Sequence, residues 1–186
     1  MYHKTFPALY YWVYDIPNFA ELQKYVDSKK PNGKKEKWVD ACKIDTIFID
    51  KPDFLDIIKP SIDLFTNEAF NREMTINISF PWINHYTKGC FQEVHDHKSD
   101  VASVFFLNEG KDFSEFFFYN RNNNSASLNF TDAMIYDEIR LNDKFYPGVK
   151  SGQVIFFPGT MLHGVTMHNS DVIRKTVSCN FSLENK

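Results

Sequence analysis

The segment Thr75-Ile-Asn-Ile-Ser-Phe80 marks a change in the hydrophobic pattern of the chain. Apolar and polar residues alternate along it, which is typical of a strand with one buried face. Before this segment, apolar residues recur at steps of three and four, which predicts a helix from Pro52 to about Phe70. The apolar positions of that helix are Phe54, Ile57, Ile58, Ile62 and Phe65. The pattern therefore predicts helices in the first third and strands in the rest.

The N-terminal third has further local signals. A short aromatic strand is predicted at Tyr10–Tyr14, and Asn18 is expected to cap the helix that follows. The lysine-rich run Lys29–Lys37 contains Pro and Gly and is expected to be a solvated loop. Pro60 is expected to kink or divide the second helix, because proline removes one helical hydrogen bond.

Short strands separated by Gly, Pro and Asn turns continue to the C-terminus. They are predicted at Trp82–Tyr86, Phe91–His95, Ala102–Leu107, Phe113–Tyr119, Ile135–Leu141, Gln153–Phe157 and Lys175–Leu183. This pattern favours a β-sandwich or barrel over a parallel βαβ sheet. With neither a repeat nor a linker in 186 residues, we expect a single domain, in which residues 1–74 support a β-rich core at 75–183.

Composition excludes several classes of protein. Aromatic residues make up 17% of the chain, which excludes wholesale disorder. The net charge of −3 argues against an extended nucleic-acid surface. The three cysteines, Cys42, Cys90 and Cys179, are widely spaced and contain no CxxC pair. We therefore expect neither a disulfide framework nor a structural zinc site, and a reducing compartment fits.

The compartment is expected to be the cytoplasm. The N-terminal residues lack the features of a signal peptide, and no apolar run approaches the ~20 residues of a membrane span. Frequent Lys, Asn, Phe and Ile suit an AT-rich genome, including a viral one, which would place the protein in the host cytoplasm. A monomer and a homodimer are both compatible with the sequence.

Three histidines form the strongest chemical signal. His95 and His97 flank Asp96, and alternate residues of a strand share a face. His163 follows the apolar strand Gly152–Phe157 and a turn, and opens the next strand. Three imidazoles from two strands, with coordination positions left open, predict an oxygen-activating iron site.

A second group could bind a carboxylate. Arg174 and Thr176 share a face of the last strand, so that a guanidinium and a hydroxyl lie side by side. Tyr86, and with it Asn84, lies on a strand just before that of His95. The Tyr86 phenol could contact a second oxygen of the same ligand, although core packing is the commoner role of such a tyrosine.

These motifs resemble those of the iron(II)/2-oxoglutarate-dependent oxygenases of the double-stranded β-helix (jelly-roll, cupin-like) type. In particular, they are similar to the small HxH branch that is common in marine phages and bacteria. The resemblance covers about residues 75–183, in the family's order. Its segments are Trp82–His97, Ala102–Leu107, Gly152–Pro158, His163–Val165, Arg174–Thr176 and Asn180–Ser182.

The resemblance implies a role for each matching residue. His95 and His163 match the two iron-binding histidines, and His97 stands where most members have Asp or Glu. Arg174 matches the arginine that pairs with the distal carboxylate of 2-oxoglutarate. In the same resemblance, Thr176 is the hydroxyl partner of Arg174, and Tyr86 and Asn84 make further contacts with the co-substrate. The third ligand stays open between His97, Asp96 and Asp100, although strand alternation favours His97.

The resemblance also implies a reaction. Fe(II), 2-oxoglutarate and O₂ would hydroxylate a C–H bond of a peptide side chain or small metabolite, with succinate and CO₂ as co-products. Apolar residues such as Phe105 and Phe156 are expected to wall the iron site. Two alternatives remain: a cupin-type three-histidine dioxygenase that does not use 2-oxoglutarate, and a non-catalytic jelly-roll protein with a degenerate site.

Overall fold

Two antiparallel sheets form the core of the computed structural model, which describes residues 9–30, 35–37, 43–49, 52–79, 81–120 and 144–185. Its helices and strands in chain order are β1 (Trp12–Asp15), α1 (Phe19–Asp27), β2 (Lys35–Lys37), β3 (Lys43–Phe48), α2 (Pro52–Ala69), β4 (Met74–Ile78), β5 (Trp82–Tyr86), β6 (Gln92–His95), β7 (Val101–Phe106), β8 (Phe116–Tyr119), β9 (Lys144–Phe145), β10 (Gln153–Pro158), β11 (His163–Val165) and β12 (Arg174–Asn185). The fold is mainly β with helices near the N-terminus, as the sequence predicts.

The strand order brings distant parts of the chain together. The larger sheet runs β1-β10-β7-β12-β5-β3-β2, with β4 paired to the second half of β12, and the smaller sheet runs β6-β11-β8-β9. Neighbouring strands are mostly far apart in sequence, as expected when a chain crosses repeatedly between two sheets. In the larger sheet β12 lies between β7 and β5, so its alternate residues face the space between the sheets.

The larger sheet is buried on both faces, which explains its runs of consecutive apolar residues. Along β10, Val154 and Phe156 pack on the side of the helices, while Ile155 and Phe157 pack toward the smaller sheet. All four side chains are fully buried. A strand that is apolar at every position is the expected sequence of such a buried strand.

The two helices cover the outer face of the larger sheet. α1 buries Leu22 and Val26, and Phe65 of α2 stacks on Phe156 of β10 with ring centroids 4.6 Å apart and an interplanar angle of 4°. The apolar stripe predicted for the second helix is confirmed, because its five predicted members are all buried against the sheet: Phe54, Ile57, Ile58, Ile62 and Phe65. No helix in the described segments has the length and apolar character needed to cross a membrane.

Three local predictions are wrong at least in part, and one strand was missed. Asn18 stands at the N-cap position of α1, but its side chain makes no capping hydrogen bond; its Nδ2 donates to the Ile57 carbonyl at 3.5 Å. Pro60 does not divide α2, which runs unbroken through it, and a kink at Pro60 stays a prediction. The end of the predicted lysine-rich loop is strand β2, Lys35–Lys37. Its partner β3, Lys43–Phe48, was not predicted as a strand.

Some predictions lie outside the described residues. They include the predicted strand Ile135–Leu141, Cys42 and residues 121–127, where a run of polar turn-forming residues predicts a loop. The predicted strands between Thr75 and Tyr119, and those after Gln153, are present with ends shifted by a few residues.

Candidate metal centre

Three histidine side chains converge between the two sheets. His163 opens β11 and is the register partner of His95, the last residue of β6; their ring centroids are 4.3 Å apart. The His97 ring lies 5.0 Å from that of His95 and 5.1 Å from that of His163. One ligand atom from each residue falls within 4.8 Å of the other two, a group that could hold a metal ion. The structure thus brings together the three predicted histidines.

His97 is placed by a turn and not by a strand. β6 ends at His95, so strand alternation does not extend to His97. Instead, the His97 backbone N–H donates to the Gly159 carbonyl at 2.8 Å, and the Gly159 N–H donates to the Asp100 carbonyl at 3.0 Å. The turn after β10 therefore holds the segment that carries His97.

Two of the imidazoles have a defined tautomer. His95 Nδ1 lies 2.7 Å from the Glu93 carbonyl, and His163 Nδ1 lies 2.9 Å from the Met161 carbonyl. A carbonyl oxygen only accepts hydrogen bonds, so Nδ1 carries the proton in both rings. Nε2 then keeps its lone pair, which is the form in which histidine binds a metal.

The site keeps its imidazoles neutral. Burial lowers the pKa of His95, and burial together with the neighbouring His95 lowers the pKa of His97 to about 4. The pKa of His163 is well below its ordinary value, mainly through burial, since its ring packs against Phe157 and Phe116. Neutral histidines near pH 7 can bind a metal without first losing a proton.

The two aspartates considered as alternative ligands do not join this group. Asp96 is exposed, and Asp100 Oδ2 accepts a hydrogen bond from the Leu183 N–H at 2.8 Å. Within the part of the chain that the structure describes, the three histidines are the group that could hold a metal. The geometry favours His97 as the third ligand, and that role stays a prediction.

Arg174 is a buried cation in the same cavity. Its side chain has 4% exposure, and its guanidinium carbon lies 4.8 Å from the centroid of the Tyr86 ring and 5.6 Å from that of Phe106. Burial lowers the pKa of Arg174, and the phenol of Tyr86 opposes this shift through its charge and a hydrogen bond. Arginine stays protonated even so. Among the described residues, its Nη1 has no hydrogen-bond partner and no carboxylate forms an ion pair with it.

A row of polar side chains connects the two groups. Alternate residues of β12 face the cavity: Arg174, Thr176, Ser178 and Asn180. Beside them on β5, Asn84 Nδ2 lies 3.5 Å from Thr176 Oγ1 and 3.3 Å from Ser178 Oγ, while Asn84 Oδ1 accepts from Thr46 Oγ1. The four residues predicted to bind the co-substrate therefore line the same cavity as the histidines: Asn84, Tyr86, Arg174 and Thr176.

The predicted apolar wall is wrong at both residues. Phe105 and Phe156 lie in the outer core beneath the helices, where they face away from the histidines. The cavity is walled instead by Phe157 and Phe116. Because side chains alternate along a strand, a one-residue error in register moves a side chain to the opposite face.

Sequence reasoning missed two residues that shape the site. Asn180 contacts His97, and Gly159 holds the segment that carries His97. Asn180 could have been found by continuing the alternation of β12 two steps beyond Thr176. No signal in the sequence pointed to Gly159, since its contact with the Ser99–Asp100 turn is a tertiary one.

Comparison with known proteins identifies the family. The sequence model of the 2OG-Fe(II) oxygenases matches residues 81–180, which is more than half of the chain and includes every residue of the cavity. The chain belongs to the 2OG-Fe(II) oxygenase family. The family's enzymes use Fe(II) and 2-oxoglutarate, so the predicted enzyme class and cofactors are confirmed. The predicted place in a branch common in marine phages and bacteria stays a prediction.

Solved structures show the same fold. A viral collagen prolyl hydroxylase from Paramecium bursaria Chlorella virus-1 is 13% identical, with a TM-score of 0.59 and coverage of 92% of this chain and 95% of the other. A Pseudomonas putida prolyl-4-hydroxylase is 12% identical, with a TM-score of 0.59 and coverage of 94% and 93%. HygX from Streptomyces hygroscopicus, solved with nickel, 2-oxoglutarate and hygromycin B, is 9% identical, with a TM-score of 0.62 and coverage of 94% and 83%. No curated protein sequence matches the chain significantly. These likenesses confirm the predicted double-stranded β-helix.

Proposed function

We propose that this oxygenase hydroxylates a C–H bond of a peptide side chain or a small metabolite, and that succinate and CO₂ are its co-products. We propose further that residues 1–186 act as one domain. The observation that carries the proposal is the pairing of a histidine cluster with the buried, incompletely hydrogen-bonded Arg174 in one cavity. The first group suits a metal, and the second suits a carboxylate.

The donor atoms fit Fe(II). Imidazole nitrogen is a good ligand for iron, and three such ligands leave coordination positions open for other molecules. The Nε2 atoms of His95 and His163 carry no proton, because both Nδ1 atoms donate to backbone carbonyls. In this proposal the three metal ligands are His95, His97 and His163.

Arg174 fits the distal carboxylate of 2-oxoglutarate. A buried guanidinium nitrogen without a partner is costly, and a charge-assisted hydrogen bond to a carboxylate would offset that cost. The Tyr86 ring restrains the guanidinium through a cation–π contact. Thr176 supplies a hydroxyl on the same face of β12, and Asn84 orients that hydroxyl row.

The protein's contribution is placement and protection. When bound, Fe(II) and 2-oxoglutarate supply the oxidative decarboxylation that uses O₂ to hydroxylate the substrate. Arg174 and Thr176 would orient the co-substrate along β12, toward the histidines. Phe116 and Phe157 exclude water beside His163, which limits side reactions.

Both substrate classes have support among proteins of the same fold. Two of the structures are prolyl hydroxylases, whereas HygX was solved with hygromycin B, a small molecule. Near-neutral charge suits either class better than a long polyanion.

The test compares Arg174→Met with Lys175→Met. Both substitutions remove a cation from β12, but Lys175 lies on the opposite face and pairs with Asp27. We expect Arg174→Met to weaken 2-oxoglutarate binding to the Mn(II)-loaded protein by ~30-fold or more, as for a buried charge pair that loses one member. Mn(II) affinity should not change, and Lys175→Met should bind both normally.

Activity gives the second measurement. With Fe(II), O₂ and 2-oxoglutarate, the wild-type protein should form succinate slowly even without substrate, and candidate peptides or metabolites should accelerate it. Iron binding without any 2-oxoglutarate binding or succinate formation would favour a three-histidine enzyme of the cupin type. Failure to bind Fe(II), Mn(II) or Ni(II) would instead indicate a non-catalytic protein.

A further inference from the structure

The three imidazoles differ in what their Nδ1 atoms contact. Backbone carbonyls accept from His95 and His163. His97 Nδ1 instead lies 3.5 Å from the side-chain amide nitrogen of Asn180 on β12. His97 is therefore the histidine of the cluster whose Nδ1 contacts a side chain and not a backbone carbonyl. A substitution can remove that contact.

The amide orientation and metal binding through Nε2 are in conflict. When the Asn180 amide N–H points at His97 Nδ1, that nitrogen must accept, and the ring proton is left on Nε2. A ring that binds metal through Nε2 needs its proton on Nδ1, where it must donate. An amide nitrogen cannot accept this hydrogen bond.

A second observation points to the opposite orientation of the amide. Asn180 Oδ1 is buried and has no hydrogen-bond partner in the part of the chain that the structure describes. The oxygen and nitrogen of an asparagine amide are nearly isosteric, so a half-turn of the amide exchanges them without moving the chain. The half-turn brings Oδ1 to His97 Nδ1 and gives the buried oxygen a donor.

We propose that Asn180 is a positioning residue for His97: its amide oxygen accepts the Nδ1 proton and thereby fixes the tautomer that presents Nε2 to the metal. This inference rests on the proposed function in so far as the metal binds at the three histidines. The polar row on β12 would then serve two purposes: Asn180 at its C-terminal end positions the metal ligand His97, and Arg174 at its N-terminal end binds the co-substrate.

The test uses two substitutions that differ only in the hydrogen-bond acceptor. Asn180→Asp keeps an oxygen toward His97, and Asn180→Leu replaces the amide by an apolar group of similar size. We expect Asn180→Leu to lower the affinity for Mn(II) by about 10- to 100-fold, the usual range for the loss of a ligand's hydrogen-bond partner. Asn180→Asp should bind Mn(II) at least as well as the wild type.

A matched control and a direct readout separate positioning from folding. Asn77→Leu makes the same change at an exposed site on β4 and should leave Mn(II) affinity unaltered. In ¹⁵N-histidine NMR spectra of the Zn(II)-loaded protein, His97 should carry its proton on Nδ1 in the wild type and in Asn180→Asp. That signal should weaken or broaden in Asn180→Leu.

The outcomes are distinguishable. Normal metal affinity in Asn180→Leu, or equal losses in Asn180→Leu and Asn180→Asp, would overturn the role of Asn180 and leave the proposed function standing. A wild-type protein that binds no metal would overturn both.

Discussion

The rings of His95 and His163 face each other as register partners of β6 and β11, with their centroids 4.3 Å apart. Since each ring has its Nδ1 bonded to a backbone carbonyl two residues earlier, both Nε2 atoms are directed by the backbone itself. Backbone hydrogen bonds therefore fix the orientation of both rings in the candidate metal site.

Removal of one member of this pair should abolish metal binding. His163→Ala is expected to weaken Mn(II) binding by more than about 100-fold, beyond the usual cost of losing an outer hydrogen-bond partner. Isothermal titration calorimetry would measure it, with circular dichroism as a check of folding. His85→Leu is the control, because His85 lies on the opposite face of β5 from the cavity. Equal affinities in His163→Ala and the wild type would contradict the assignment of the ligands.

Gly159 should be intolerant of a side chain. A Cβ at this position would lie 2.2 Å from the Ser99 carbonyl oxygen, so the turn that carries His97 would have to shift. We expect Gly159→Ala to lower the free energy of unfolding by about 1–3 kcal/mol, as overpacking does, and to weaken Mn(II) binding. Urea denaturation and calorimetry measure the two effects. Thr160→Ala, at the exposed neighbouring residue, is the control and should change neither stability nor Mn(II) affinity. A Gly159→Ala protein with normal Mn(II) affinity would show that the turn does not place His97.

The motif residues could be predicted from sequence because strands fix the faces of neighbouring residues. Arg174 and Thr176 share a face by alternation alone, and His163 follows directly from a strand and a turn. The roles that could not be predicted depend on contacts across the sheets. Asn180 meets His97 from 83 positions away. Strand β3 was missed because it contains the polar residues Asp45 and Thr46, which are buried where β3 pairs with β5.

His85 should make the protein less stable in acid. It is 1% exposed and lies between Asp45 on β3 and Lys175 on β12. Neither of its ring nitrogens has a hydrogen-bond partner among the described residues. Burial lowers its pKa; Lys175 lowers it further, while Asp45 and Asp27 oppose the shift. In the unfolded chain His85 has its ordinary pKa of 6.5 and binds the proton more readily than in the folded protein. Stability is therefore full above that pH and falls as the pH drops below it.

The substitution His85→Leu tests this effect. It removes the titrating group and two unsatisfied buried nitrogens, so it should raise the free energy of unfolding by about 1–3 kcal/mol near pH 5 and by less near pH 7.5. Urea denaturation of metal-free protein at the two pH values measures it. The histidines of the cavity titrate in both proteins, so they cancel in the comparison. An identical pH dependence in wild type and variant would exclude His85 as the cause.

The neighbours Phe156 and Phe157 should separate stability from metal binding, because alternation places them on opposite faces of β10. Phe156 stacks on Phe65 of α2, whereas the Phe157 ring lies 4.7 Å from that of His163. We expect Phe156→Leu to lower the free energy of unfolding by about 1 kcal/mol and to leave Mn(II) affinity unchanged. Phe157→Leu should weaken Mn(II) binding up to about tenfold, since it loosens the apolar support of a ligand. Urea denaturation and calorimetry on both variants make the comparison. Weaker Mn(II) binding in Phe156→Leu, with unchanged Mn(II) binding in Phe157→Leu, would contradict the assignment of the two faces of β10.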